Sequence, residues 1–155
     1  MSLGRAALGL LAALLAAPAA AQDGAALRWD GEWVGAYVCG QGKTGLTLRL
    51  RARGDGMLGG LFHFWPLPGN PGAAEGCFEM RATPRPGAPP ALSLTAGRWL
   101  LEPPDYVTVD LEAWMGEDGQ VFGNVDGPGC TVFSLRRASP PRPLPAACAG
   151  PLARQ

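Results

Sequence analysis

Thr44-Gly-Leu-Thr-Leu-Arg-Leu-Arg-Ala-Arg53 is the stretch that decides the fold class. Leu46, Leu48, Leu50 and Ala52 alternate with Thr47, Arg49, Arg51 and Arg53. Successive side chains on a strand point to opposite faces, so this segment reads as a strand with one buried and one wet face. Residues 106–114 repeat the pattern, with Val107, Val109, Leu111 and Ala113 on one side and Thr108, Asp110 and Glu112 on the other. Weaker strands are expected over 32–39, 57–65, 77–83, 91–96, 120–126 and 131–137. Turn-forming clusters stand between them: Gly54-Asp55-Gly56, 66–72, 84–90, Glu117-Asp118-Gly119 and Gly127-Pro128-Gly129. Eight short strands predict an all-β fold, an antiparallel up-and-down barrel with a β-sandwich as the alternative. Closure is preferred because it removes exposed strand edges, and eight strands enclose an interior that side chains can fill. A chain with 23 Gly and 16 Pro suits strands joined by tight turns.

Outside the strands the chain divides simply. Arg5, an apolar run over 6–17 and Pro18-Ala-Ala-Ala21 form the pattern of a secretory signal peptide, with cleavage expected after Ala21. The apolar run is shorter than the roughly 20 residues a bilayer-spanning helix needs. The expected organisation is a signal peptide over 1–21, a lead-in over 22–30, the barrel over 31–137 and a Pro-rich irregular tail over 138–155. That tail is either a loose end or a strap tied down by Cys148. The product is expected in the periplasm or secreted, with no membrane span after cleavage. Thirteen basic residues, one of them Arg5, face thirteen acidic ones, so no basic excess is available to neutralise nucleic-acid phosphates.

Four cysteines, Cys39, Cys77, Cys130 and Cys148, read as disulfides in an exported chain, with three pairings open in principle. A closed barrel makes its first and last strands neighbours. Cys39 ends the first and Cys130 begins the last, so these two are expected to pair, leaving Cys77 with Cys148. No Cys-x-x-Cys occurs and His63 is the only histidine, so neither a metal site nor a cofactor is expected. No catalytic residue is expected either. Ser93, Ser134 and Ser139 lie outside any Gly-x-Ser-x-Gly turn. Asp110 and Glu112, about 7 Å apart by strand rise, fall on the wet face as solvated charges.

Gly31-Glu-Trp33-Val-Gly35-Ala-Tyr37-Val-Cys39-Gly-Gln41-Gly42 resembles the opening of small uncharacterised exported bacterial β-domains, some of them beside secreted peptidase domains. The likeness runs on through Pro104-x-Tyr106 and Cys130-x-x-Phe133-x-Leu135 and implies the fold more than any activity. Gly31-x-Trp33, an arginine ending the last strand and Asp55-Gly56-x-Leu58-x-Gly60-x-Phe62 also resemble barrels of the avidin and lipocalin type. That second likeness implies a plug in which Arg137 stacks on an inward Trp33. Setting Cys39 directly opposite Cys130 would place Trp33 opposite Arg136 instead, so the plug requires an offset near the disulfide. The polar residues with which avidins hold biotin are not matched, and biotin binding is not implied.

Of five tryptophans, Trp65 and Trp114 sit at strand ends and are the candidates for exposure. If Gly54-Asp55-Gly56 form the loop together, with Gly56 left-handed, Leu48 faces Phe62 and the pair Phe62 and Phe64 points inward. Leu61, His63 and Trp65 then form an outward stripe that continues into Leu67, a candidate surface for another exported protein. The function expected is a non-enzymatic binding module, in the manner of an inhibitor or accessory domain. The alternative is a carrier holding a small apolar ligand in the lumen.

Overall fold

The computed structural model describes residues 19–150; the body of the expected signal peptide lies outside the described residues. Eight strands follow one another around a closed antiparallel barrel: β1 (Gly31–Cys39), β2 (Gly42–Ala52), β3 (Leu58–Trp65), β4 (Gly76–Arg85), β5 (Ala91–Leu101), β6 (Asp110–Met115), β7 (Val121–Asp126) and β8 (Val132–Arg137). β8 returns to pair with β1, so no edge remains open. Two short helices flank the strands, α1 (Ala19–Leu27) and α2 (Ala146–Ala149).

Alternation decides which side chains fill the lumen. Leu46, Leu48 and Leu50 join Phe62, Phe64, Phe78, Leu92, Leu94, Leu111, Phe133 and Leu135 in one continuous core. β7 keeps the expected pattern along its length, alternately buried and exposed. Register follows from the Gly54-Asp55-Gly56 turn. Ala52 faces Leu58, and Arg53 N–H donates to the Met57 carbonyl at 3.0 Å. Gly54 and Gly56 both take positive φ, a region that costs a residue with a Cβ. Leu48 consequently faces Phe62, with Thr47 opposite His63 on the outer side.

Cys39 is bonded to Cys130, and Cys77 to Cys148. The β1–β8 ladder runs from Trp33 opposite Arg137 to Tyr37 opposite Phe133. Continued, it would set Cys39 against Thr131; the bond to Cys130 is therefore one residue out of step, at the point where Thr131 N–H turns to the Val38 carbonyl.

Three expectations need correction. β6 starts at Asp110 rather than at 106, because Pro103 and Pro104 break the strand and Asp105 takes a φ of 62°. Val107 is 58% exposed instead of facing the lumen. The lead-in contains helix: α1 crosses the expected cleavage point, and its Ala-rich sequence favours that conformation. No helix among the described residues is long and apolar enough to cross a membrane.

The third correction concerns the outward stripe, which the tail covers in its strap form, one of its two expected states. Ala138 N–H bonds to the Glu32 carbonyl, and the Arg142 N–H bonds to the Glu32 carboxylate. Leu144 packs against the buried cluster of Leu61, Cys77 and Cys148, and α2 brings Cys148 to Cys77 at the start of β4. The chain thus climbs the outside of the barrel from the end of β8 to the opposite rim. It covers the stripe expected to be free: Leu61, His63 and Trp65 do point outward but are 0%, 1% and 8% exposed. Only Leu67, in the loop beyond, remains half-buried.

Candidate functional site: the open mouth of the barrel

One end of the barrel is sealed. Trp33 is buried, and its indole N–H donates to the Trp29 carbonyl at 3.0 Å. The Arg137 guanidinium lies 4.3 Å from the Trp33 ring centroid and donates to the carbonyls of Asp30 and Arg28. Gly31, at a φ of 129°, passes directly beneath that guanidinium, and a Cβ there would collide with it. Ala26 and Trp29, both buried, bring the end of α1 and the turn after it onto the same cap.

The other end is open. A cavity of about 330 Å³ enters between the β1–β2, β5–β6 and β7–β8 loops. Its floor is formed by Tyr37, Phe62, Phe64 and Phe78, and its walls by Tyr106, Val107, Val109 and Pro128. The rings brace one another. Phe62 stacks on Phe78 at 4.7 Å, Tyr106 stacks on Phe64 at 5.3 Å, and Tyr37 meets Phe62 edge-on at 5.2 Å. Trp99 closes the set behind Phe78 and Phe64. Aromatic pairs in such offset and edge-to-face arrangements gain attraction beyond area burial, so the floor is pre-formed.

Polar groups are few. The Tyr37 hydroxyl accepts a hydrogen bond from the Gln41 amide at 2.8 Å, and the Tyr106 hydroxyl accepts one from the Ala74 N–H at 3.0 Å. Burial, reinforced by the neighbouring Tyr106 phenol, pushes the Tyr37 phenol well above its ordinary range, against the opposing Gln41 contact. It is a neutral hydroxyl at any physiological pH. Among the described residues, Asp105 supplies the one charged side chain in the lining.

His63 belongs to a different place. Its Nε2 is 2.8 Å from Glu75 Oε1, its ring stacks on Trp65 at 5.5 Å, and its Nδ1 is buried with no hydrogen-bond partner among the described residues, as is Thr47 Oγ1 across the strand pair. Arg142 of the strap lies 4.0 Å from the Trp65 ring centroid. Burial lowers the His63 pKa more than the Glu75 contact raises it, so the ring is neutral. Ser93 Oγ donates to Glu112 at 2.9 Å on the outer wall, and Glu112 in turn meets Arg85.

Of the mouth residues, Tyr106 and Val107 read as strand because they obey its alternation, and Asp105 stands just outside that stretch. Pro103-Pro104 was the available signal against it. Taken together, fold and site define a closed, disulfide-tied eight-stranded barrel with one plugged end and one aromatic-floored mouth. Compared with known proteins, the chain matches no family model, no curated protein and no solved structure.

Proposed function

We propose that this chain is an exported, non-enzymatic binding module that takes one small, largely apolar ligand into the barrel mouth. The observation that carries the reading is the cavity of about 330 Å³ at the unplugged end, floored by aromatic rings. Ligand sites are concave, mostly apolar and pre-formed, with a few polar groups for orientation. The carrier reading is preferred to a protein-contact surface on β3 because the strap already occupies that surface. Binding is preferred to turnover because Ser93 is paired to a carboxylate on the outer wall and His63 lies beneath the strap. Two disulfides favour export, since such bonds persist in oxidising compartments.

The test is a fluorescence titration of the oxidised chain from Gln22 with a neutral naphthalene-class fluorophore. Saturable one-to-one binding is expected, and Val107→Trp should abolish it by filling the mouth from an exposed position while the melting temperature stays unchanged. Binding that ignores Val107→Trp, or no saturable binding, would reject the reading.

A further inference from the structure

Charge is distributed unevenly between the two ends. The loops around the mouth, residues 40–41, 66–75, 102–109 and 127–131, carry Glu75, Glu102 and Asp105 and not one Lys or Arg, with Lys43 following at the start of β2. Glu75 faces His63, which is neutral and cancels none of that charge. At the plugged end the charges are mixed: Arg53 stands with Asp55, Arg136 with Asp118, and Arg137 with the carbonyls of the lead-in. The sheet wall contributes no cation to the cavity lining either.

We infer that the mouth selects an organic cation, a quaternary ammonium group of about the size of choline, held over the aromatic floor and paired with the Asp105 carboxylate at the rim. This deepens the proposed function and rests on the mouth being a ligand site. An apolar lining alone would suit any hydrophobic molecule, so the choice of cation comes from two further features. Ring faces carry negative charge density, and a methylated ammonium is attracted to them while needing no hydrogen bonds. The floor supplies Tyr37, Phe62, Phe64 and Phe78, with Tyr106 as a side wall. The second feature is Asp105, the one non-glycine residue at positive φ among the described residues. A backbone conformation of that kind is costly for a residue with a Cβ and is found concentrated at functional sites. Here it belongs to the residue that brings the only carboxylate into the lining. An anionic ligand would meet the Asp105 carboxylate and no base in the lining, and a neutral one would gain nothing from that charge.

Calorimetry on the oxidised chain from Gln22 can separate charge from shape. Choline and 3,3-dimethylbutan-1-ol have the same outline, one with a quaternary nitrogen and the other with a quaternary carbon. Choline is expected to bind about tenfold more tightly. That advantage should shrink several-fold in Asp105→Asn and fall with added salt, while the alcohol is unaffected by either. Equal or tighter binding of the alcohol would overturn the cation and leave the apolar site standing. Failure of both ligands, together with failure of the neutral fluorophore, would overturn the site itself. A preference for a carboxylate probe such as 3,3-dimethylbutanoate would reject the charge argument outright.

Discussion

The two ends of the barrel are built from the same residue types to opposite effect. At the plugged end two tryptophans and an arginine consume one another's surfaces: Trp33 lies against Trp29 and under Arg137, and the Trp33 indole N–H and the Arg137 guanidinium both donate to backbone carbonyls. At the mouth, rings of similar size stack on one another yet leave a cavity of about 330 Å³ above them. The difference is the lid. α1 supplies one at the first end, whereas the Pro-broken segment before β6 stops at the wall of the second. Aromatic content alone therefore separates neither core from site; what covers the rings does.

The comparison breaks most readily at Trp33. Trp33→Ala should cost about 3–5 kcal/mol, the range for removing a buried large aromatic, read as a drop in the urea midpoint. Tyr106→Ala, at the mouth and only half-buried, should cost well under half as much. Equal costs would mean that the mouth is core in another guise.

Removing the strap's anchor sharpens the same contrast, since it tests a cover on the wall rather than at an end. Cys77→Ala with Cys148→Ala opens a 71-residue separation and should cost about 2–4 kcal/mol. Hydrogen exchange should accelerate over β3 and the strap, around Leu61 and Trp65. Ligand titration at the mouth should be unchanged, because the strap contributes nothing to the cavity lining. Loss of binding would show that the two regions are one unit.

The smallest effect is one of pH. His63 has its folded pKa below the ordinary 6.5, burial outweighing Glu75. The unfolded chain then binds the extra proton first as pH falls, so the stability present above 6.5 is lost on acidification through that value toward the folded pKa. His63 faces Glu75, with Glu32 and Arg142 nearby. His63→Gln should flatten the slope of unfolding free energy between pH 7 and pH 5 by less than about 1 kcal/mol overall. An unchanged slope would place the ring's titration elsewhere.

Much of the barrel was legible because strand alternation is a local code. Leu46, Leu48 and Leu50 declare their face without help, and Gly54-Asp55-Gly56 narrows the register to two, a two-residue turn or the three-residue loop that the structure takes with Leu48 opposite Phe62. The pairing of Cys39 with Cys130 follows from closure, since first and last strands become neighbours. Cover is a different matter. Nothing periodic in residues 138–150 announces that they lie across Leu61, His63 and Trp65, because the strap is held by single contacts: Arg142 to Glu32 and Trp65, Leu144 to the cluster that holds Leu61, Cys148 to Cys77. The mouth was hidden for the converse reason. Val107 and Val109 copy the strand pattern, and only the two prolines ahead of them say that one valine would be left outside.

The two disulfides interleave along the chain, Cys39 and Cys77 preceding Cys130 and Cys148 in turn. A peptide bond cut between Cys39 and Cys77 leaves its fragments joined through Cys130; one between Cys130 and Cys148 leaves them joined through Cys77; one in between is bridged twice. Any single backbone break from the first cysteine to the last therefore yields no free fragment. A nicking protease that reached an exposed loop such as 66–72 or 84–90 would change the number of chain ends and add only the one water of hydrolysis to the particle.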